Sequence, residues 1–437
     1  MSIYRKSGVV LCLVLLTTVS ALANVTMLAA AGDYGGNRHN FSMPSFTEIG
    51  MGQSSGSFST VSMGDVNKDG YAEIASGRGK GNSGICVWQY SGSSWSKDVV
   101  NATGNWGGVK LVDITGDGVL DLIAVGENGW QGGDAGGMVI YKGSYVGAII
   151  TWTELHSPYV SSTSCDGLAI GDIEGDGDMD IAVATHGDGV KVFLNDGGST
   201  PTWTTYSLNT GHFEDTGIAL GDLNKDNRLD IVTTSYFDDN IITVYLCSGS
   251  GAVSYDSGHL CSAFVTEAAF GIQIEDFNKN GDKDLAIGTR SHSLKVYWGN
   301  GCSGGDDSWW ADAGVPSTGG GDNLQVAIGD LNKDGWTDIA VAVDGSGVGI
   351  LENNAGTFTK VAPTGIPITG KWYGCCLYDW DNDGDLDLAA CGWGTGVHFY
   401  ESNQAVAPEF PIATITLLLT CSMALVILAT TRRKRAD

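Results

Sequence analysis

The chain has 437 residues, with 23 Lys and Arg against 50 Asp and Glu, and so carries a formal net charge of −27. This balance argues against a nucleic-acid partner, because phosphate neutralisation needs a basic surface, and the 42% hydrophobic content excludes a disordered acidic tail. Glycine, at 65 residues, is about twice its usual share of roughly 7%. Together with the scarcity of long apolar runs, it predicts an all-β fold of short strands and tight turns.

The N-terminal segment, residues 1–23, predicts a secretory signal peptide. Arg5 and Lys6 precede an apolar stretch at residues 9–16, and the segment ends in Ala21-Leu22-Ala23. A short basic region, an apolar core and an Ala-x-Ala ending are typical of such peptides. An uncleaved anchor helix is the alternative. Residues 24–44 then form an N-terminal segment ahead of the main domain.

One motif recurs seven times between residues 45 and 403. Successive copies are about 50 residues apart, which is the size of one propeller blade. Each copy has a short apolar run before and after it, then a third and a more aromatic fourth run, as in residues 203–206. Four strands in each of seven units predict a seven-bladed β-propeller over residues 45–403, with an open solenoid as the alternative. The last unit lacks its fourth strand, and residues 45–49 are predicted to supply it and close the ring.

The motif has the spacing of a calcium loop between the first and second strands of each unit. Oxygen-bearing side chains recur at positions 1, 3, 5 and 9, as in the first part of an EF-hand loop. They are Asp65, Asn67, Asp69 and Glu73; Asp113, Thr115, Asp117 and Asp121; Asp172, Glu174, Asp176 and Asp180; Asp222, Asn224, Asp226 and Asp230; Asp276, Asn278, Asn280 and Asp284; Asp330, Asn332, Asp334 and Asp338; and Asp379, Asp381, Asp383 and Asp387.

Position 6 of each loop is Gly, or Asn227 in the fourth, which suits a turn with positive φ. The ligand set predicts up to seven Ca²⁺ ions, with Mg²⁺ less suitable because it needs a smaller octahedron. No His or Cys stands at a ligand position, which argues against zinc or copper. The alternative is an Asp/Asn/Gly-rich turn without metal. The loop at Asp276 has two carboxylates and is expected to bind most weakly, while Thr115 leaves its loop one good ligand short.

These repeats resemble FG-GAP or VCBS repeats, the units of integrin α-subunit propellers. Phe270-Gly271 keeps the namesake pair, and Gly108, Gly167, Gly217 and Gly374 stand at the same offset before their loops. The resemblance implies that the cations lie on one face of the disc and that ligands meet the opposite face. The chain differs from integrins in having seven loops suited to cations and in lacking leg domains.

Loops after the second strands are predicted to project from that opposite face. A candidate ligand-binding surface there consists of Glu127, His186, Tyr236, Arg290, Asp344 and Trp393. Aromatic, charged and amide groups together suit a glycan or protein ligand. Ordinary solvated loops are the alternative.

The C-terminal end predicts a membrane anchor. Residues 412–431 carry no charge and would span roughly 30 Å as a helix. The basic tail, residues 432–437, then stays in the cytoplasm, so that the ectodomain faces outside the cell. Pro408, Glu409 and Phe410 in the linker of residues 404–411, followed by the span and the tail, resemble the PEF-CTERM sorting signal of archaeal surface proteins. In that family an archaeosortase is thought to replace the tail with a lipid.

Cysteine usage fits export, because eight cysteines remain between the two ends and an oxidising compartment favours pairing. Cys247 with Cys261 and Cys376 with Cys391 are the suggested pairs.

The sequence leaves three classes of function open for this protein. The first is a calcium-binding cell-surface propeller that recognises or adheres to glycans or surface proteins. A structural component of the surface layer is the second. The third is a polysaccharide-degrading enzyme, with His186, Arg290, His292 and Glu127 as acid–base candidates, although the sequence contains no recognised catalytic motif and fold alone does not give function.

Overall fold

The computed structural model describes residues 42–404 except for 52–55, 79–83, 127–136, 160–162, 209–214, 236–241, 249–252, 257, 262–267, 291–293 and 304–307. Within these residues the fold is all-β, and its strands pair antiparallel. The predicted signal peptide, PEF motif and C-terminal span lie outside the described residues. The described part of the chain contains no helix of the length and apolarity that crossing a membrane requires.

The strands repeat in four roles. First strands, which precede the acidic loops, are β2 (Phe58–Gly64), β6 (Trp106–Val112), β10 (Cys165–Gly171), β14 (Asp215–Gly221), β20 (Ala269–Glu275), β24 (Asn323–Gly329) and β28 (Gly370–Tyr378). Second strands, which begin at position 9 of each loop, are β3 (Glu73–Arg78), β7 (Asp121–Gly126), β11 (Asp180–Thr185), β15 (Asp230–Ser235), β21 (Asp284–Thr289), β25 (Asp338–Gly345) and β29 (Asp387–Gly392).

Third strands are β4 (Ile85–Tyr90), β8 (Gly137–Val146), β12 (Val190–Asn195), β16 (Ile242–Tyr245), β22 (Lys295–Gly299), β26 (Gly347–Asn354) and β30 (Gly396–Ser402). Fourth strands are β1 (Phe46–Ile49), β5 (Trp95–Asn101), β9 (Ile149–Leu155), β13 (Trp203–Leu208), β19 (His259–Cys261), β23 (Trp310–Asp312) and β27 (Thr357–Val361). The two remaining strands, β17 (Cys247–Ser248) and β18 (Ser254–Tyr255), form a hairpin that the sequence analysis missed.

The strands form five separate four-stranded sheets and one eight-stranded sheet. In each separate sheet the order is first, second, third, fourth, as in β2-β3-β4-β5. The eight-stranded sheet contains the last two four-stranded units, which are joined where Asp344 and Gly345 of β25 pair with Lys371 and Gly370 of β28. This repeated antiparallel meander is consistent with a β-propeller.

The N-terminal strand β1 completes the last unit. It pairs with β30 from Phe46↔Ser402 to Ile49↔Phe399. Phe46 is buried and belongs to the same apolar cluster as Ile366 and Tyr400. The prediction that residues 45–49 supply the missing fourth strand is therefore confirmed.

Consecutive first strands contact one another, and β28 contacts β2. Glycines five residues before the loops permit this approach. A Cβ on Gly217 would lie 1.9 Å from the carbonyl oxygen of Phe270 on the next first strand, and one on Gly167 would lie 2.7 Å from that of Thr216. Because real Cβ atoms do not come so close, the repeated glycine follows from the packing of one first strand on the next.

The core lies between adjacent sheets. Second strands such as β7 and β11 are buried along their whole length. Ile123 and Val125 from β7 share one apolar cluster with Ile181 and Val183 from β11. Burial on both faces explains why these strands are continuous apolar runs rather than alternating ones.

The suggested disulfides are wrong in this structure, because none of the eight described cysteines between residues 86 and 391 forms a disulfide bond. On the paired strands β28 and β29, Cys376 lies opposite Ala389, whereas Cys391 lies opposite Gly374. Cys247 belongs to the β17–β18 hairpin, and Cys261 pairs with Ile242 instead. The proximity of these cysteines in sequence does not place them on facing positions.

Candidate metal centres and a first-strand cavity

The acidic loops are tight turns held by their own side chains. In the fourth loop, Asp222 Oδ1 and Oδ2 accept the backbone N–H groups of Asp226 at 3.0 Å and Asn227 at 2.9 Å. Asn224 Oδ1 accepts the same Asp226 N–H at 3.0 Å. The N–H of Arg228 donates to Asp226 Oδ1 at 3.0 Å. Positions 1, 3 and 5 thus turn their oxygens toward the inside of the loop.

Two positions of every loop have left-handed backbone. Position 6 was predicted to do so, and its φ runs from 65° at Asn227 to 99° at Gly177. Position 4 behaves likewise, although the sequence analysis did not identify it. Its residues are Lys68, Gly116, Gly175, Lys225, Lys279, Lys333 and Asn382, with φ between 55° and 76°.

The position 9 carboxylates are buried at the start of the second strands, with no exposed surface on any of the seven. One oxygen of each accepts the backbone N–H of loop position 2, as Asp230 Oδ2 does from Leu223 at 2.9 Å. In six loops the other oxygen accepts an N–H near the end of the third strand, as Asp230 Oδ1 does from Cys247 at 2.8 Å. In the first loop, Glu73 Oε1 is buried and has no hydrogen-bond partner among the described residues.

The seventh loop gathers its acids most tightly. One ligand oxygen each from Asp379, Asp381 and Asp387 lies within 4.8 Å of the others. Burial, together with the nearby carboxylates of Asp385 and Asp381, raises the pKa of Asp387 to about 8. Among the described residues, no other loop brings three carboxylates this close.

The donor set of the seventh loop fits a hard divalent cation. All three of its clustered ligands are carboxylates, which suit Ca²⁺ or Mg²⁺. Within the described part of the chain, Oδ1 of Asp379 is buried without a hydrogen-bond partner, so an acceptor lone pair there remains unused. In the first and sixth loops, an asparagine amide donates a hydrogen bond to a loop carboxylate instead. Asn67 Nδ2 donates to Asp69 at 3.0 Å, and Asn332 Nδ2 donates to Asp334 at 3.2 Å.

Lysines at position 4 reach from one loop to the next. Lys225 Nζ lies 2.6 Å from Asp282 Oδ1 of the fifth loop. Lys279 Nζ donates to the carbonyl oxygen of Gly335 in the sixth loop and lies 4.3 Å from the centre of the Trp336 ring. The side chains of Lys225 and Lys279 therefore extend away from their own loops. The recurrence of lysine at position 4 was the sequence signal for these bridges.

A cavity of about 540 Å³ lies among the first strands, and residues from all seven of them line it. We call it the first-strand cavity. Its lining residues cluster at or near the starts of those strands, whereas the acidic loops follow their ends. Asp166, Asp322, Tyr373, His186 and Trp393 border it on this side, and Lys110 and Gln273 border it three residues before their loops.

Some of the predicted ligand-binding residues line this cavity and others do not. His186 and Trp393 line it, and a His186 ring nitrogen lies 2.7 Å from Asp166 Oδ2. Arg290 follows β21 and Asp344 belongs to β25, and neither lines the cavity. Glu127 and Tyr236 lie outside the described residues, as does His292. Lys110, Gln273 and Gln325 were not predicted as site residues. Lys110 and Gln273 stand out in the sequence three residues before their loops, where other copies have Ser, Ala or Cys, and Gln325 stands five residues before its loop, where five copies have Gly.

Comparison with known proteins identifies the repeats. A family model described as "FG-GAP-like repeat" matches residues 65–124, 138–233, 276–341 and 330–390, more than half of the chain. The crystal structure of Sqt1 from Chaetomium thermophilum, which has a β-propeller-like fold, is similar at a TM-score of 0.50 and 14% identity, covering 84% of this chain and 86% of that one. The comparison with curated proteins found no match. This chain belongs to the FG-GAP-like repeat family.

Proposed function

We propose that this protein is a calcium-binding, seven-bladed β-propeller that acts at the cell surface in recognition of glycans or surface proteins. The contact between β28 and β2, together with the pairing of β1 with β30, supports a closed ring of seven four-stranded blades. The signal peptide and C-terminal span predicted from the sequence support export and anchoring. The PEF motif favours processing by an archaeosortase, with a plain membrane anchor as the alternative.

The seventh loop carries the calcium proposal. Asp379, Asp381 and Asp387 would hold the ion, whose chemistry there is to neutralise carboxylates that otherwise repel one another. The other six loops share the turn and are proposed as further sites, up to seven in total. Calcium should raise the melting temperature of the full chain in detergent, and EDTA should lower it. A melting temperature that neither reagent changes would refute calcium binding.

The first-strand cavity carries the recognition proposal. Its volume is within the range of about 300–1,000 Å³ usual for small-ligand pockets. Trp393, which is 45% exposed, lies with Tyr373 at one side, their ring centres 6.1 Å apart. Aromatic faces beside carboxylates suit a ligand with both apolar and hydroxyl groups.

A screen of the full chain against glycans and cell surfaces, with and without calcium, tests recognition. We expect saturable binding that the double variant Tyr373→Ala/Trp393→Ala weakens at least tenfold without lowering the calcium-dependent melting temperature. Thr359→Ala, on the exposed fourth strand β27, serves as the control. Binding that the double variant retains in full would remove the cavity from the proposal. Ordered self-association without ligand binding would favour the surface-layer role instead.

The contact between His186 and Asp166 favours an enzyme as a second candidate. A histidine hydrogen-bonded to a carboxylate at the border of a cavity has the arrangement of a general base. Polysaccharide turnover that His186→Ala abolishes while leaving ligand binding intact would establish this activity. The absence of turnover on every glycan that binds would exclude it for those ligands.

A further inference from the structure

The first-strand cavity contains an unpaired cation. Lys110, on β6, borders this cavity and also a smaller one of about 290 Å³ that is lined by residues nearer the loops. Among the described residues, no hydrogen bond or ion pair engages its ammonium group. A charge held among first strands without a protein partner is costly, and burial lowers the pKa of Lys110 accordingly.

Two glutamines border the same two cavities and have unused polar atoms. Gln325 Oε1 accepts the backbone N–H of Cys375 at 3.1 Å, which leaves its Nε2 donor without a partner among the described residues. Gln273 Nε2 donates to the carbonyl oxygen of Val326 at 3.2 Å, and no described residue donates a hydrogen bond to its Oε1 acceptor. One cation, one donor and one acceptor therefore face the space that the two cavities share.

This combination matches the acid end of a hydroxylated carboxylate. A carboxylate only accepts hydrogen bonds, so Lys110 and Gln325 suit it, whereas a neighbouring hydroxyl can donate to Gln273. A neutral sugar would leave the ammonium group without a counter-charge. Asp172 and the other loop acids do not line either cavity.

The opposite side of the cavity suits hydroxyl groups. Asp166 and Asp322 are acceptors there, and Trp393 and Tyr373 provide aromatic faces. Asp166 stands six residues before its loop and Lys110 three before its own, so the two lie about 10 Å apart along the strands at 3.3 Å per residue. That separation orients a ligand with its acid group toward Lys110 and its hydroxyl groups toward Asp166.

We propose that the first-strand cavity binds the acidic end residue of a glycan, a uronic acid, with its carboxylate at Lys110 and Gln325 and its hydroxyls toward Gln273 and Asp166. This assignment rests on the proposed function, because it names the ligand class of the same recognition site. It also explains how a chain with a net charge of −27 accepts an anionic ligand. The ligand carboxylate pairs with Lys110, which the carboxylates of the acidic loops do not surround.

Calorimetric titration of the full chain in detergent and calcium tests the proposal. The probes are methyl β-glucuronide and methyl β-glucoside, which share a ring and differ in the carboxylate. We expect the glucuronide to bind and the glucoside not to bind. Lys110→Met should weaken glucuronide binding at least tenfold, since a charge-assisted hydrogen bond contributes about 1.5–3 kcal/mol, and about 1.4 kcal/mol corresponds to a factor of ten.

A second variant distinguishes a loss of binding from a loss of folding. Gln325→Glu keeps the oxygen that accepts the Cys375 N–H and places a like charge beside the ligand carboxylate, so it should also weaken binding at least tenfold. Lys191→Met, which removes a half-buried lysine from β12, is the matched control and should bind as the wild type does. Melting temperatures verify that each variant is folded.

Three results would overturn the proposal: equal binding of both probes, undiminished binding by both Lys110→Met and Gln325→Glu, or no glucuronide binding at millimolar concentration. The glycan screen separates this failure from failure of the proposed function. Glycan binding that persists in Lys110→Met leaves recognition standing and refutes the cavity assignment. Glucuronide binding without any glycan or cell-surface binding supports the cavity assignment and refutes recognition.

Discussion

Replacing Asp381 by Asn should change the stability of the protein in opposite directions with and without calcium. Asp381 stands at position 3 of the seventh loop, where four other loops have Asn. Its Oδ1 accepts the N–H of Asp383 at 3.3 Å, and an Asn side chain retains this acceptor. The substitution therefore keeps the turn and removes one negative charge.

In EDTA we expect the variant to be more stable than the wild type. The oxygens of Asp379, Asp381 and Asp387 lie within 4.8 Å of one another. Two unit charges at that distance repel by about 3 kcal/mol at an effective dielectric constant of about 20. Protonation of Asp387, whose pKa is about 8, and solvent around Asp381 reduce this repulsion, so we expect a gain of about 2 kcal/mol at pH 8.

In saturating calcium the same substitution should be destabilising. It removes one carboxylate from the ligand set, and we expect a loss of affinity of roughly 300-fold, which reduces the calcium-linked stabilisation by about 3.4 kcal/mol. Because the calcium-free form gains about 2 kcal/mol, the net loss of stability in calcium is about 1.4 kcal/mol. Unfolding entropies of about 2.1 cal/mol/K per residue give a change of roughly 3 °C in EDTA and 2 °C in calcium for a domain of roughly 360 residues. The first change is upward and the second downward.

Scanning calorimetry of the full chain in both buffers measures these shifts. Asp98→Asn, on the exposed face of β5, removes the same charge at a distance from the loops and should leave both melting temperatures unchanged. A shift of the same sign in the two buffers would refute the reasoning, since it would mean that Asp381 does not bind the ion. Equal shifts in Asp98→Asn would attribute the effect to net charge.

Two further predictions concern pH and packing. In EDTA the melting temperature should fall as pH rises from about 4 to 8. The pKa values of Glu73, Asp338 and Asp387 in the folded protein are raised to about 8, 7 and 8. An acid with a raised folded-state pKa stabilises the fold while it is protonated, and this contribution is lost as pH rises through that pKa. Saturating calcium should remove this fall, and a rise in EDTA over the same range would contradict it. Gly217→Ala should lower the unfolding free energy in a urea titration by about 3 kcal/mol because of the contact with Phe270. Gly320→Ala, whose Cβ meets no atom within 4 Å, should be neutral, and equal costs would refute the packing argument.

The features predicted from the sequence are those that every copy repeats. Comparing seven versions of one unit predicts the acidic loops and their positive φ at position 6. It also predicts that the strand beginning at Phe46 completes the last unit. The features missed are properties of single copies or of contacts between copies. The β17–β18 hairpin occurs in one unit, and the bridge from Lys225 to Asp282 depends on the spacing of neighbouring loops. The cavity around Lys110 needs seven strands to be assembled before it exists.

The loop acids also divide into two groups that the sequence pattern alone does not separate. At position 1 of the first six loops both oxygens accept N–H groups: in the fifth loop Asp276 accepts those of Asn280 at 3.0 Å and Gly281 at 2.8 Å. At position 9 Asp284 likewise binds Phe277 at 2.9 Å and Gly299 at 2.8 Å. An Asn side chain offers one acceptor oxygen, so it cannot replace a carboxylate that uses two.

Positions 3 and 5 make a weaker demand, because a side chain there uses at most one oxygen as a backbone acceptor. In the fifth loop Asn278 Oδ1 accepts the N–H of Asn280 at 3.0 Å, and Asn280 Oδ1 accepts that of Asp282 at 2.7 Å. The turn therefore forms with two carboxylates as well as with four. Acids at positions 1 and 9 are required by the fold, and those at positions 3 and 5 set the charge offered to a cation. It follows that Asn substitutions at positions 3 and 5 should change calcium affinity far more than they change the apo structure.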